Sequence, residues 1–235
     1  MMNRIGLCLV LCISACAVES EPPVATVAQS NENVADEVRQ VNIDTTSCLD
    51  LLCYHDGCND ISKSRTPECV AAMSRYCGDR GFQLGFSQEV GAGVFGVACR
   101  ATSFRADISL NELIVRHSGC NALSKSQQPE CMAAVHRACN ARGFDAGMSQ
   151  EVGNGVFGVA CVQSGWYGDI SLAELSARHA GCNNVAFSQT PSCVAAAHRA
   201  CNARGFAAGL VQEVGSNVLG VACFAVDSYG DVPVI

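Results

Sequence analysis

The sequence is poor in the signatures that usually announce chemistry. It holds no Gly-x-Ser-x-Gly elbow, no phosphate-cradling glycine loop and no His-Glu-x-x-His pair, so no nucleophile, nucleotide or catalytic zinc is signalled by those routes. Aromatic residues make up 6% of the chain, with one tryptophan, and Trp166 with Tyr167 is the one aromatic platform on offer. Fifteen Lys and Arg face 22 Asp and Glu, a net charge of −7. Such a balance gives no electrostatic reason to expect a nucleic-acid partner. The apolar run at 5–13 is too short to cross a bilayer as a helix, which takes roughly 20 residues.

That run does have a use. Residues 1–4 give a short, positively charged start, the apolar run follows, and Ile13-Ser14-Ala15 leads into Cys16. Together they read as a cleaved export signal, residues 1–15. The ending Ile13-Ser14-Ala15-Cys16 resembles the lipobox of bacterial lipoproteins, in which an aliphatic residue and two small ones precede a cysteine that is lipidated and becomes the mature N-terminus. The resemblance implies a lipid on Cys16, a membrane partner through that anchor, and the bacterial cell envelope as location. Ala17, in place of Asp, resembles the pattern of lipoproteins sent on to the outer membrane. An ordinary secretory signal cut nearby, with Cys16 incidental, is the alternative. Residues 16–42 then form a linker: residues 17–46 carry six acids against one arginine, with Pro22-Pro23 and few large apolar side chains. Such a segment buries too little surface to offset its ordering entropy.

Cysteine is what the chain has in excess, 17 in all, 14 of them beyond Cys16. This density suits small domains folded in an oxidising compartment. The cysteines also repeat: Cys58, Cys120 and Cys182 are 62 residues apart, as are Cys69, Cys131 and Cys193, then Cys77, Cys139 and Cys201, then Cys99, Cys161 and Cys223. The words Gly-Cys-Asn, Gln-Glu-Val-Gly and Gly-Val-Ala-Cys recur in the same register. The chain is therefore an internal triplication, with repeat 1 at 43–103, repeat 2 at 104–165 and repeat 3 at 166–235.

Local signals predict an α+β fold of three tandem small disulfide-rich modules, each helix-helix-β-hairpin. Ser109-Leu-Asn-Glu112 and Ser171-Leu-Ala-Glu174 read as capping boxes, with Ser47-Cys-Leu-Asp50 a weaker version. The helix they open is expected to stop at Gly57, Gly119 or Gly181, in a left-handed cap. A second helix starts with proline at 67, 129 or 191 and stops at Gly81, Gly143 or Gly205 after an arginine. Cys131, Ala134, Val135, Ala138 and Cys139 form its apolar stripe. In the hairpin, Phe144, Ala146, Met148, Gln150 and Val152 alternate at strand period with Asp145, Gly147, Ser149 and Glu151, and Gly153-Asn154-Gly155 makes the turn.

Four cysteines per repeat could make two disulfides or one zinc site. Gaps of 11, 8 and 22 residues contain none of the close pairs that structural zinc sites use, so disulfides are expected, with no metal and no cofactor. Cys69 and Cys77 lie about 12 Å apart along one helix, beyond the roughly 7 Å that a bridge allows. The expected pairing is Cys58–Cys69 and Cys77–Cys99 with their equivalents; Cys58–Cys77 with Cys69–Cys99 is the other allowed set. Cys48 and Cys53 occur in repeat 1 alone.

Several polar residues recur in all three repeats. His55, His117 and His179 sit near the end of the first helix, where they can satisfy free carbonyls and favour the dipole. Arg75, Arg137 and Arg199 lie off the apolar stripe, free to pair with a carboxylate or to contact an anionic or sugar ligand. Gln88, Gln150 and Gln212 interrupt an apolar strand face and must find partners. Glu89, Glu151 and Glu213 point the other way. These arginines, glutamines and glutamates are the candidate ligand-binding set. No catalytic constellation emerges: one carboxylate per repeat falls short of the paired groups of general acid–base catalysis. The reading is a lipid-anchored, multivalent binding protein and not an enzyme, with a glycan, an envelope polymer or an extracellular or periplasmic protein as partner. The alternatives are a protease inhibitor, presenting segments such as Lys125-Ser126-Gln127-Gln128 as exposed loops, or a structural envelope protein.

Overall fold

A computed structural model describes residues 50–91, 93–102 and 104–234. The export signal, Cys16, the linker at 16–42, Ser47 and Cys48 lie outside the described residues. The chain is α+β and disulfide-rich. In order its elements are α1 (Pro67–Gly78), β1 (Leu84–Gly91), β2 (Val94–Arg100), β3 (Phe104–Ser109), α2 (Leu110–Arg116), α3 (Pro129–Asn140), β4 (Ala146–Gly153), β5 (Val156–Val162), β6 (Trp166–Ser171), α4 (Leu172–Arg178), α5 (Pro191–Asn202), β7 (Ala208–Val214), β8 (Val218–Phe224) and β9 (Ser228–Pro233), with short 3₁₀ turns between.

The long helices begin as their sequence demands. Thr66, Gln128 and Thr190 are the N-caps, and proline follows at the first position of each, where its missing N–H costs nothing. Each ends before a glycine at φ +84° or +85°, Gly81, Gly143 and Gly205, a conformation that glycine reaches without strain. The first helix departs from expectation. In repeats 2 and 3 it is opened by Ser109 or Ser171, whose hydroxyl accepts the N–H of Glu112 or Glu174, but it stops at Arg116 or Arg178 with extended backbone at the next residue. Gly57, Gly119 and Gly181 are not left-handed caps. They are needed for closeness, because a Cβ on Gly119 would meet Glu130 Cγ at 2.6 Å. In repeat 1 the first helix shrinks to a 3₁₀ turn, Leu51–Cys53, capped by Asp50.

Each hairpin gains a third strand, giving antiparallel sheets ordered β1-β2-β9, β3-β5-β4 and β6-β8-β7. Sheets two and three take theirs from just before the first helix. The sheet of repeat 1 takes its third strand from the far end of the chain, with Phe95 opposite Val232 and Ala98 opposite Tyr229. Residues 228–233 thus belong by sequence to repeat 3 and by hydrogen bonding to repeat 1, and the contacts run in a closed cycle. Helices follow the same cycle: α1 packs on β1 and β4, α3 on β4 and β7, and α5 on β7 and β1.

This arrangement buries more than one stripe per helix. Cys131, Ala134, Val135, Ala138 and Cys139 face the core as expected, but Met132, Ala133 and His136 are buried too, against the next sheet. The hairpin strands are covered on both faces along most of their length, whereas β3, β6 and β9 leave every second residue exposed. Phe86, Met148 and Leu210, with Ala98, Ala160 and Ala222, share one cluster, so the three sheets contribute to a common apolar centre. Six disulfides join Cys58–Cys69, Cys77–Cys99, Cys120–Cys131, Cys139–Cys161, Cys182–Cys193 and Cys201–Cys223. Cys53 is disulfide-bonded as well.

Candidate functional site

The recurring polar residues meet at the junctions between repeats. At Gln88, Gln150 and Gln212 the strand register slips, between residues 87 and 89, 149 and 151, and 211 and 213. Each glutamine is the extra residue of a β-bulge, which re-aims its side chain. The partner it finds is a neighbouring strand. Gln150 Oε1 accepts the Gly85 N–H at 2.8 Å, Gln212 that of Gly147 at 2.9 Å, and Gln88 that of Gly209 at 2.8 Å. β1, β4 and β7 are sheet edges, so the glutamines cap backbone groups that would otherwise lack partners. Glycine is required opposite them: a side chain on Gly85, Gly147 or Gly209 would collide with the disulfide sulfur of Cys77, Cys139 or Cys201. At 1% exposure the three glutamines present no surface to a ligand. The bulge also breaks the expected alternation, since Met148 joins the central cluster while Val152 packs on the helix side.

The next residue on each strand is the glutamate, and it finds the arginine of the preceding repeat in the cycle. Arg75 Nε lies 3.0 Å from Glu151 Oε1, Arg137 Nε 2.8 Å from Glu213, and Arg199 Nε 2.9 Å from Glu89. The Nη1 of each donates to a main-chain carbonyl, of Tyr54, Arg116 or Arg178, tying the end of the first helix to the next strand. Glu89 has its carboxyl held below the usual range by the Arg199 hydrogen bonds. Both partners stay partly exposed, so the pairs supply charge at the surface more than stability.

Around two of these pairs the surface is concave. A cavity of about 400 Å³ is lined by Arg137 and Glu213 with His117, Pro129, Ala133, Val185 and Val214, and its counterpart of about 290 Å³ by Arg199 and Glu89 with His179, Pro191, Ala195, Ile61 and Val90. The Arg75–Glu151 pair occupies the equivalent place at the remaining junction. His55, His117 and His179 do not serve free carbonyls, contrary to expectation. The Nδ1 of each accepts the N–H of the glycine two residues on, at 3.1 to 3.2 Å, which leaves Nε2 to carry the proton of the neutral ring. Cation, carboxylate, imidazole and an apolar floor together suit a polyhydroxylated ligand. The carboxylates are engaged by arginine, and among the described residues no group of three His, Cys, Asp or Glu could hold a metal ion.

Other expectations place differently. Lys125 and Gln128 are exposed as expected, but Ser126 is fully buried and Gln127 only 4% exposed, so the middle of the segment between the first two cysteines of repeat 2 turns inward. Trp166 and Tyr167 are not a free platform: Trp166 lies under the Arg204 guanidinium at 4.9 Å, and Tyr167 stacks on His136 at 5.1 Å. The stack recurs as Tyr229 on His198 at 5.7 Å. Burial pushes both tyrosines up to about 12 and both histidines down. Sequence reading missed these pairs, though the repeat register carries the signal: Ser74 and Arg105 stand at the equivalent positions, and both replacements fall at one junction. Comparison with protein-family models, with curated proteins and with solved structures finds no match.

Proposed function

We propose that the chain is an exported, lipid-anchored, multivalent binding protein of the bacterial cell envelope, placed on the outer membrane by Cys16 and the linker. Its head is three tandem disulfide-rich modules, and the binding sites are the junction clefts. The ligand is a glycan or an envelope polymer, and the protein is not an enzyme. The recurrence of one arginine–glutamate pair at all three junctions, Arg75–Glu151, Arg137–Glu213 and Arg199–Glu89, is the observation that carries this reading. Equivalent sites on one body can raise avidity by roughly 10²–10⁴ when their targets are clustered. An ion pair beside an apolar floor offers donors and acceptors to sugar hydroxyls together with a surface for their C–H faces. The cysteines support export, since disulfides persist in oxidising compartments.

Glycan arrays and envelope-polymer pull-downs with the detergent-solubilised full-length protein test the binding claim. Arg137→Ala should weaken retention by clustered ligand, and the triple substitution at Arg75, Arg137 and Arg199 should abolish it while the fold persists. Absence of binding, or a triple variant that binds as well as the parent, refutes it. Metabolic labelling with a clickable fatty acid, lost in Cys16→Ala, tests the anchor separately.

A further inference from the structure

In each sheet one glycine of the middle strand stands between an aspartate and a glutamate. Gly96 lies opposite Asp231 and Glu89, Gly158 opposite Asp107 and Glu151, and Gly220 opposite Asp169 and Glu213. In two of the sheets a tyrosine covers the glycine. A Cβ built on Gly220 would meet the Tyr167 hydroxyl at 2.8 Å, and one on Gly96 would meet that of Tyr229 closer still. Both phenols therefore end between the two carboxylates, and both rings stack on a histidine of the preceding helix, His136 or His198.

The sheet of repeat 2 keeps this arrangement without the ring. Arg105 stands where the tyrosines stand, and Ser74 where the histidines stand. A Cβ on Gly158 would have its nearest contacts at 3.7 Å, with Asp107 and Glu151. A hollow of about 210 Å³ opens here, lined by Gly158, Asp107, Glu151, Arg105 and Asn154. A cavity of about 150 Å³ is enough to hold benzene, so a single ring has room. Arg105 and Asp107 are exposed, and among the described residues their side chains form no hydrogen bond or ion pair. Glu151 gives Arg75 only its Oε1. Acceptors and an unpaired guanidinium thus border the space that a phenol fills in the other two sheets.

We propose that this hollow binds a tyrosine side chain of a partner polypeptide, its ring over Gly158 and its hydroxyl donating to Asp107 or Glu151. The Arg105 guanidinium packs on the ring face, a favourable contact that Arg80 already makes with Tyr76 at 3.6 Å. Residues 1–49 contain no Phe, Trp or Tyr, so the ring does not come from this chain's own N-terminal segment. Repeats 1 and 3 fill their places internally, so one tyrosine binds per chain, in contrast to a ligand of the three junctions.

N-acetyl-tyrosine amide is the probe, titrated into the detergent-solubilised full-length protein and followed by saturation-transfer NMR and by the Gly158 amide resonance. Expected are one saturable site per chain and a shift at Gly158. N-acetyl-phenylalanine amide, which lacks the hydroxyl, should bind roughly tenfold more weakly. Gly158→Ala fits without rearrangement, since its methyl finds ordinary contact distances, yet it raises the floor and should weaken the probe several-fold. Arg105→Tyr combined with Ser74→His supplies the ring from within and should abolish binding; in the same detergent it also corrects for partition into micelles. The proposal is overturned by a Gly158 resonance that does not move, by equal affinity for the phenylalanine amide, or by Gly158→Ala and Arg105→Tyr/Ser74→His proteins that bind as the parent does.

Discussion

The Gln88 side chain treats Gly209 as a strand partner. Its Oε1 accepts the Gly209 N–H at 2.8 Å and its Nε2 donates to the Gly209 carbonyl at 3.1 Å, so one amide completes the edge of β7 as a peptide group would. Gln88→Ala leaves both buried groups unpaired, at a cost of about 1–3 kcal/mol. Gln150 makes the corresponding bond to the Gly85 N–H, but its Nε2 has no partner. Gln150→Ala should therefore cost less than Gln88→Ala. Urea unfolding of the two variants checks the order.

The last strand closes the cycle. Val232 is buried at 1% exposure, and Tyr229 covers Gly96 and stacks on His198. Truncation after Asp227 removes these contacts and strips β2 of a neighbour. From the burial of one valine and one tyrosine the loss should be about 3–5 kcal/mol, or on the order of 10 °C in Tm. The bared edge of β2 should also make the protein associate. Calorimetry and sedimentation velocity read the two effects, and a truncated chain that stays monomeric at the parent Tm contradicts them.

Digestion of the unreduced protein should yield linked peptides containing Cys58 with Cys69 and Cys77 with Cys99, together with their equivalents in the other repeats. Peptides joining Cys58 to Cys77 would contradict this. Replacing either pair by alanine should cost roughly 3 kcal/mol in the chain-entropy model. The 22-residue loop encloses twice the chain of the 11-residue loop, and each doubling is worth only about 0.6 kcal/mol.

Acid should act in two windows. His136 and His198 have pKa values lowered by burial, and Glu213 and Glu89 respectively work against that while Arg137 and Arg199 add to it. Their unfolded forms bind protons first, so the stability they contribute is complete above about 6.5 and is lost as pH falls below it. Glu89, Glu112 and Glu174 are held low by Arg199, Arg142 and Arg204. Their contribution is present above about 4.3 and lost below that. Replacing both histidines by serine, the residue at position 74, should flatten Tm between about pH 6.5 and 5 and leave the lower window. A parent protein with no slope in the upper window contradicts the assignment.

The features legible in the sequence are those set by neighbouring residues. Proline at a first helical position, the helix stops before Gly81, Gly143 and Gly205, and the Asn154-Gly155 turn, both residues at positive φ, are local geometry. Helix length excluded a Cys69–Cys77 bridge, and of the two pairings left open the preferred one is formed. Illegible were the features that one repeat imposes on another. His136 and Met132 face the next sheet, so a single-stripe reading of α3 could not place them. The bulge at Gln150 answers to Gly85, 65 residues away. The third strands had a trace that a register search would find: Phe104-x-Ala-x-Ile, Trp166-x-Gly-x-Ile and Ser228-x-Gly-x-Val stand 62 apart, with the last beyond Cys223. Of the candidate set, arginine and glutamate do meet, and glutamine is withdrawn into the junction.

Pairing of β9 with β2 also sets how this architecture can change. An open stack of repeats lengthens by duplication, because its end units tolerate a new neighbour. Among the described residues no repeat is an end unit: a fourth 62-residue insertion would have to reopen the cycle and widen the shared apolar centre built around Phe86, Met148 and Leu210. Copy number is locked at three, and divergence is left to act on side chains at fixed places, as the lone Arg105 among two tyrosines already illustrates.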